Sequence, residues 1–563
     1  MSKKIFLGLT ILAGIIIGCP HLNFYDVFSS GDHGRDLYVF EQAFKGLLVD
    51  KDIWWVYGPL MPYYYGLFFL LFGIKISSIL IGKFVLSILC GVFFYLSATV
   101  VMPAFWAFLA ACYFLQSQHD FFFTFNHIGG IAAELAVFWF ILRFLYEKNL
   151  RFGFWALGAC CILGLIKINF GISALVTTLI SLALIDFTSN TKDKKIITTD
   201  NKFFYISGIL IVPLIWLLIY GFFLQGLTIY EIRQCMPYFS DDQPYHRTIF
   251  ETIPYYIKMH WLTLVHHWHK FQNTLAPLLT GSSALLNPMA LLMFSIITLV
   301  FLTNPIIHGC TIAALIIAFS KKLNSQRRTF WLTQAVIWIF FILNFHEFLV
   351  SGVWYRTYWS QPFLLFFNFF MLSTAMSFSP KWLRYSISLI WLTLSILLAS
   401  VAIISTKSSC TPDKFLTLPR GQIYVGNESA WVDTVITVTG VLNKTLKKDE
   451  MFFALPYDGL YYYLTGKTSP TRQLIFFDHI KILPAQEISI IKELESKKIA
   501  YVLMSNRVMS SEIGLGIFGK TYCPLINRYI TENFVPIYRY GGNWQSEPGW
   551  GSNHGVMILK RKE

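Results

Sequence analysis

Charged side chains are scarce in this 563-residue sequence. Only 13% of its residues are Asp, Glu, Lys or Arg, whereas soluble proteins carry roughly 25%. Hydrophobic residues make up 55%, and the mean hydropathy is +0.54. This composition excludes an ordinary soluble enzyme, and stretches such as 203–225 and 384–404 have about the 20 apolar residues that cross a bilayer core. We therefore expect a polytopic membrane protein.

Three further signatures are missing. None of the nine cysteines has the spacing of a zinc site, and no internal repeat is evident. The net charge of +14 is spread over short segments between apolar runs, as the positive-inside rule predicts, and not over one basic face. We therefore expect no nucleic-acid partner. Cys410 and Cys523 fall in the C-terminal part, and whether they form a disulfide stays open at this point.

The candidate membrane spans are apolar runs, namely residues 5–20, 76–101, 103–117, 128–146, 151–166, 170–187, 203–225, 287–320, 329–345, 357–376 and 383–404. The Lys and Arg residues between them place the N-terminus inside. The Lys and Arg residues between the spans all fall on the inside only if the apolar segment 59–73 does not cross the membrane. We predict that this segment lies at or dips into the outer membrane surface. The run 287–320 is interrupted, so the number of crossings in this part of the chain is open. We therefore expect about 11 to 13 spans in all.

Under this topology three parts of the chain lie outside the cytoplasm: the loops 21–75 and 226–286, and the C-terminal region 405–563. In the last of these, residues 486–498 have helical periodicity and residues 500–504 have the pattern of a buried strand. We predict an all-α polytopic membrane domain over 1–404, followed by a small soluble α/β domain over 405–563. The expected location is a bacterial inner (plasma) membrane, with the soluble domain outside.

Acidic residues gather in the first external loop, soon after a membrane span: Asp32, Asp36, Glu41, Asp50 and Asp52. Carboxylates near lipid are costly unless they are paired or functional. A carboxylate here is suited to act as a general base on a hydroxyl group, or to hold a divalent cation. Solvated loop charges and helix caps are the alternative interpretation.

Several motifs along the chain resemble the GT-C superfamily of polyprenyl-phosphate-sugar glycosyltransferases. Residues 31–36 (Gly-Asp-His-Gly-Arg-Asp), the following Gly46 and residues 57–60 (Tyr-Gly-Pro-Leu) are similar to its first loop. Residues 164–171 resemble its lysine-bearing turn between two spans, and residues 461–472 resemble the C-terminal domain of many bacterial members. The superfamily includes protein O-mannosyltransferases and the aminoarabinose transferases of lipid A, and the resemblance implies its fold.

The resemblance implies an inverting glycosyltransferase that uses a lipid-phosphate sugar donor. It points to Asp36 as the catalytic residue, with Asp32 as the alternative, although the family often has Asp-Glu where this chain has Asp36-Leu37. Negative charge builds on the leaving phosphate, so cations are needed near the outer surface. The residues expected to bind substrate are Arg35, Tyr57, Lys167, His246, Arg247, Arg356 and Tyr358.

No cofactor is required if cations neutralise the phosphate, and a divalent cation remains the alternative. The expected partners are a lipid-linked sugar donor, an acceptor glycan, lipid or protein, and the lipid bilayer. Two other functions stay open, namely a transporter or flippase of lipid-linked sugars and a noncatalytic relative. The missing repeat argues mildly against transport.

Overall fold

The computed structural model describes residues 2–117, 125–189, 203, 205–236, 325–347, 358–512 and 514–563. Within these ranges the part before residue 410 is helical apart from one two-residue strand, and the part after it combines helices with short strands. The predicted fold class, a helical polytopic part followed by a small α/β part, is therefore confirmed.

The first part contains the helices α1 (Lys3–Gly18), α2 (Asp32–Phe44), α3 (Leu60–Phe72), α4 (Ile76–Val101), α5 (Ala104–Ser117), α6 (Phe125–Glu147), α7 (Leu150–Ile166), α8 (Ile168–Ser189), α9 (Val212–Phe223), α10 (Ile229–Cys235), α11 (Ser325–Asn344), α12 (Gln361–Phe378) and α13 (Lys381–Ser409). Five segments of the described chain are long and apolar enough to cross a membrane: Lys3–Leu22, Ile76–Val101, Phe125–Glu147, Ile168–Ile185 and Gln361–Phe378. The chain is a multi-pass membrane protein.

The helix ends lie within a few residues of the predicted spans because the apolar runs that a bilayer requires also fix where these helices can begin and end. The predicted span 287–320 lies outside the described residues. The total of about 11 to 13 spans therefore stays a prediction.

Helix α3 has two different faces. Tyr65 and Phe69 point inward and are buried, whereas Leu67, Leu70 and Leu71 are largely exposed. A short helix with an exposed apolar face is suited to contact with lipid. That α3 does not cross the membrane stays a prediction.

The second part consists of the helices α14 (Ser429–Thr445), α15 (Gly459–Thr465), α16 (Pro484–Ser496) and α17 (Pro524–Asn533), and of the strands β2 (Tyr424–Val425), β3 (Phe453–Leu455), β4 (Tyr501–Ser505), β5 (Phe534–Gly541) and β6 (Gly555–Arg561). Four strands form one sheet in the order β3-β4-β6-β5, with β3 and β4 parallel and the other pairs antiparallel. The strand predicted at 500–504 is β4, and the helix predicted at 486–498 is α16. Cys410 and Cys523 are free thiols.

Strand pairing and hydrogen bonds fasten the segment that follows α1 to the second part. The strand β1 (Phe24–Tyr25) pairs in parallel with β2. The side chain of Asn427 accepts a hydrogen bond from the Phe28 amide (2.9 Å) and donates one to the Phe28 carbonyl (2.6 Å). A methyl group on Gly34 would lie 2.4 Å from the backbone nitrogen of Leu460, so α2 packs directly on α15.

The same segment is also fastened to the turn between α7 and α8. The Gly58 amide donates a hydrogen bond to the Ile166 carbonyl (2.8 Å). A methyl group on Gly58 would lie 2.1 Å from the Leu165 carbonyl oxygen, so only glycine allows this approach. Residues of α2, of the α7–α8 turn and of the C-terminal part therefore meet in one place.

Candidate functional site

Asp36 is a fully buried carboxylate of the first loop, with an exposed fraction of 0%. Arg35 donates hydrogen bonds to its Oδ1 from Nη2 (2.6 Å) and from Nε (3.0 Å), and Asn126 donates one to its Oδ2 (3.3 Å). Burial raises the pKa of Asp36 to about 7, although Arg35 acts in the opposite direction. A carboxyl group that titrates near neutral pH can take up a proton from a hydroxyl and release it again.

Asp32, one turn earlier on α2, is in a different environment. About a third of its side chain (34%) is exposed, Tyr457 donates a hydrogen bond to its Oδ1 (2.6 Å), and Arg35 lies 3.4 Å away. Burial acts to raise the pKa of Asp32, but Arg35 and Tyr457 outweigh it and lower the pKa below its ordinary value. One carboxyl thus stays ionised while its neighbour titrates near neutrality, as in sites where two acids have separate roles.

Arg35 lies between the two carboxylates in an aromatic cage. Its guanidinium carbon is 5.4 Å from the ring centroids of Trp55 and Tyr57 and 5.7 Å from that of Tyr457. The side chain is buried, and the contacts with both carboxylates and three rings hold it in one orientation. Arg35 is therefore placed to orient Asp36.

Lys167 occupies the turn between α7 and α8, where the sequence predicts a phosphate-binding cation. Its Nζ contacts both carboxylate oxygens of Glu347 at 2.7 Å, and both side chains are buried. The ammonium group lies 5.6 Å from the ring centroids of Tyr57 and Trp359. The Tyr57 ring is thus shared by Lys167 and Arg35, which joins the two cations into one site.

Tyr358 is the fourth expected substrate-binding residue in this region. Its hydroxyl is hydrogen-bonded to His127 Nδ1 (2.5 Å), and the His127 ring lies 5.7 Å from the ring of Tyr57. The structure thus brings together Asp32, Arg35, Asp36, Tyr57, Lys167 and Tyr358.

A small pocket opens beside Lys167, lined in part by Asp50, Tyr57 and Asn169. The Asn169 amide nitrogen is hydrogen-bonded to His346 (2.9 Å), whereas its buried Oδ1 has no partner among the described residues. Burial raises the pKa of Asp50 to about 8, with Arg472 acting against it. The pocket therefore offers a cation, a neutral carboxyl and an amide oxygen close together.

The other acids of the loop have structural partners. Glu41 is paired with Lys45 (2.7 Å) and Arg420 (2.8 Å), and Asp52 accepts a hydrogen bond from the Leu48 amide (2.8 Å). Asp52 is exposed, as expected for a solvated loop charge, whereas Glu41 is buried in an ion-paired structural contact.

Sequence reasoning missed Asn126, His127 and Glu347. Asn126 and His127 interrupt an apolar run at the start of α6, and Glu347 follows the apolar run of α11. A polar residue at the end of an apolar run is the signal that was available.

His246, Arg247 and Arg356 lie outside the described residues, and their expected roles stay predictions. Among the residues that the structure describes, no group of three or more His, Cys, Asp or Glu side chains could hold a metal ion. For neutralising the phosphate of the donor, a divalent cation remains the alternative to basic side chains.

No protein-family model matches the sequence, and no curated protein matches it. Solved structures with similarity include ArnT from Cupriavidus metallidurans bound to undecaprenyl phosphate, at 12% identity and a TM-score of 0.43 over 99% of this chain and 97% of that one. The Archaeoglobus fulgidus oligosaccharyltransferase in complex with Zn and sulfate is 11% identical, with a TM-score of 0.49 over 97% of this chain and 73% of that one. The arabinofuranosyltransferase AftD from Mycobacteria is 10% identical, with a TM-score of 0.38 over 100% of this chain and 40% of that one. Because these similarities are low, we base the proposal below on the chain's own residues.

Proposed function

We propose that this protein is a membrane glycosyltransferase that moves a sugar from a polyprenyl-phosphate donor to an acceptor hydroxyl at the outer side of the membrane. The observation that carries the proposal is the environment of Asp36. Its carboxylate is buried, is oriented by Arg35 and Asn126, and has a pKa of about 7. A general base is most effective when its pKa lies near the working pH.

In the proposed reaction Asp36 accepts the proton of the acceptor hydroxyl. The hydroxyl oxygen then attacks the anomeric carbon of the donor sugar, and the bond from that carbon to the phosphate oxygen breaks. The electron pair leaves with the polyprenyl phosphate. Attack from the face opposite to the leaving group inverts the anomeric configuration.

Charge that develops on the leaving phosphate needs cations that are already in place. Lys167 is buried at the pocket beside Tyr57, so its charge acts in surroundings that exclude water and screen weakly. Glu347 holds the ammonium group in position from the other side. We propose that Lys167 binds the phosphate of the donor and that Arg35 orients the base. The ring of Tyr57 contacts both cations.

The proposed setting is a bacterial inner membrane with the C-terminal part outside. The apolar helices would let a lipid-linked donor enter sideways from the outer leaflet, with its isoprenoid chain still in lipid. Arg356, Arg247 and His246 remain proposed additional contacts for the phosphate, and Tyr358 is proposed to line the site.

The test is consumption of a panel of radiolabelled polyprenyl-phosphate sugars by the purified full-length protein in lipid nanodiscs, with membrane extract as the source of acceptors. The proposal requires that at least one donor is consumed, that polyprenyl phosphate is released, and that the product has the opposite anomeric configuration. If no donor is consumed with any acceptor extract, the transporter and the noncatalytic alternatives take its place.

A further inference from the structure

A second polar cluster lies where the C-terminal part meets the first turn of α2. Tyr457 donates its hydrogen bond to Asp32 there. The ring of Trp550 packs edge-on against Tyr457, with 6.0 Å between centroids, and the guanidinium carbon of Arg507 lies 3.2 Å from the Trp550 ring centroid. We call Asp32, Tyr457, Asp458, Arg507 and Trp550 the outer polar cluster.

Arg507 is 2% exposed, and its Nε and Nη2 have no hydrogen-bond partner among the described residues. A buried guanidinium without partners is costly, because the hydrogen bonds that it made to water in the unfolded chain are lost. Nε and Nη2 form one edge of the planar group, and this edge is the part of arginine that binds two oxygen atoms at once. The fold thus holds a donor pair ready beside Trp550.

Two oxygen acceptors and a histidine ring nitrogen are unsatisfied in the same part of the molecule. Asp458 Oδ1, Asn506 Oδ1 and His554 Nδ1 are buried and have no partner in the described part of the chain. Each of these side chains is fixed by its other polar atom, because Ser505 donates to Asp458 (2.5 Å) and Tyr461 is hydrogen-bonded to His554 (2.9 Å). These side chains are therefore rigid and cannot turn to satisfy one another.

The mixture of donors and acceptors limits the chemistry of a ligand. Burial raises the pKa of Asp458 to about 6, so this carboxylate is largely ionised at neutral pH, as is Asp32 nearby. An anion would satisfy Arg507 but would be repelled by both carboxylates, and a cation would be repelled by Arg507. Hydroxyl groups can accept from Arg507 and donate to Asp458, since each is both donor and acceptor.

We infer that the outer polar cluster binds the hydroxyl groups of a carbohydrate acceptor, so that the proposed glycosyltransferase extends a glycan or glycolipid and not a Ser or Thr side chain of a protein. This inference rests on the proposed function. Asp32 belongs both to this cluster and to the α2 site, and Arg35 links it to Asp36. An acceptor held by Arg507 and Asp458 would therefore present a further hydroxyl towards Asp36.

The ring of Trp550 lies against the guanidinium of Arg507 and is the aromatic part of the outer polar cluster. The backbone on both sides of Trp550 is held by hydrogen bonds, because the Gly549 amide donates to the Asn553 carbonyl and the Gly551 carbonyl accepts from the Glu428 amide (3.0 Å each). Glu547 anchors the same loop by hydrogen bonds to Ser510 (2.6 Å) and Ser511. The Trp550 ring is thus held beside Arg507, and it supplies an aromatic face of the kind that packs against sugar rings.

The test is saturation-transfer NMR on the full chain in nanodiscs, with a panel of methyl glycosides and disaccharides as probes, and with a Ser/Thr peptide and inorganic phosphate for comparison. We expect at least one carbohydrate to bind. Its affinity should fall about tenfold or more in Arg507→Gln, which loses a hydrogen bond to a charged group, and in Trp550→Ala, which loses the aromatic face. Trp544→Ala changes a tryptophan of the same loop and should bind as the wild type does.

Arg507 is buried, so its variant can fail to fold, and the partly exposed Trp550 provides the second variant. Carbohydrate binding that is equal in Trp550→Ala and Trp544→Ala would overturn the inference. Binding of phosphate or of the peptide, with none of any carbohydrate, would also overturn it. The donor-consumption assay separates the two proposals. Donor turnover onto a peptide would reject this carbohydrate site but keep the proposed enzyme. Carbohydrate binding that Trp550→Ala weakens, without any donor turnover, would keep this site but reject the enzyme.

Discussion

The guanidinium of Arg35 lies 2.6 Å from the carboxylate of Asp36, its immediate neighbour in the sequence. Successive residues on a helix point in different directions, so such a pair forms only where the surroundings turn one side chain back. Here Trp55, Tyr57 and Tyr457 surround the guanidinium and turn it toward Asp36. The carboxylate of Asp36 is thus oriented by its own helix together with the C-terminal part.

The rate of donor consumption should rise with pH up to a plateau. Asp36 must be ionised to accept a proton, and burial raises its pKa to about 7. We expect the acidic limb of the pH–rate profile to have its midpoint near that value, and not near about 4, where an exposed Asp titrates. A midpoint near 4 would mean that a different carboxylate is the base.

Arg35→Gln should move this limb to higher pH. Without the positive charge the ionised form of Asp36 loses a stabilising neighbour, so its pKa rises further and less of the base is available at neutral pH. At pH 7 we expect a loss of about tenfold or more in rate, recovered in part at higher pH. Lys45→Gln is the matched control, because Lys45 contacts Glu41. A limb that stays in place in Arg35→Gln contradicts the role given to Arg35.

Asp36→Asn should stabilise the protein above neutral pH. A buried acid with a raised pKa favours folding when protonated, and this contribution is lost as the pH rises from the ordinary Asp pKa through about 7. The gain in melting temperature of Asp36→Asn over wild type should therefore be larger at about pH 8 than at about pH 5. A gain that is equal at both pH values would argue that Asp36 is not strained by burial.

Glu347→Gln and Lys167→Gln should have different effects on the donor. Each leaves one buried charge without its partner, which costs about 3–5 kcal/mol of stability when such a pair is broken. Only Lys167→Gln removes the cation, so we expect it to lose binding of polyprenyl phosphate, whereas Glu347→Gln keeps binding in the fraction that folds. Thermal unfolding and lipid-binding assays measure the two effects separately, and equal loss of binding in both variants would assign the pair a structural role.

Gly34→Ala should loosen the contact between α2 and α15. The added methyl group would lie 2.4 Å from the Leu460 backbone nitrogen, and a clash with backbone of this kind costs about 1–3 kcal/mol. Gly440→Ala is the control, since Gly440 lies in α14 with nothing within 4 Å of an added methyl group, and it should be neutral or stabilising. Thermal melts of the two variants that coincide would contradict the close packing.

The parts of the fold and site that follow from local sequence were predictable. Apolar runs set the helices, and strand β4 follows from its buried apolar pattern. Lys167 and Asp36 were singled out because their local motifs resemble the lysine-bearing turn and the first loop of the GT-C superfamily. These signals come from neighbouring residues and need no knowledge of the tertiary structure.

The partners of these residues were not predictable. Glu347 meets Lys167 across 180 residues of sequence, and Tyr457 meets Asp32 across 425. Nothing local to Tyr457 or Arg507 indicates that the C-terminal part packs on α2, because that packing depends on the close approach of Gly34 to Leu460 and on the pairing of β1 with β2. The opposite shifts of the two carboxyls, with the pKa of Asp36 raised and that of Asp32 lowered, depend on the same contacts.

The most direct measurement is the rate of donor consumption by Asp36→Asn beside wild type, with Asp52→Asn as the matched control on the same loop. Asp52 contacts only the Leu48 amide among the hydrogen bonds found for its carboxylate in the described chain. We predict that Asp36→Asn loses about 100-fold or more in rate while still binding polyprenyl phosphate, as expected when a general base is removed, and that Asp52→Asn stays near wild type. Full activity in Asp36→Asn, in protein shown to be folded, would contradict the assignment of Asp36 as the base.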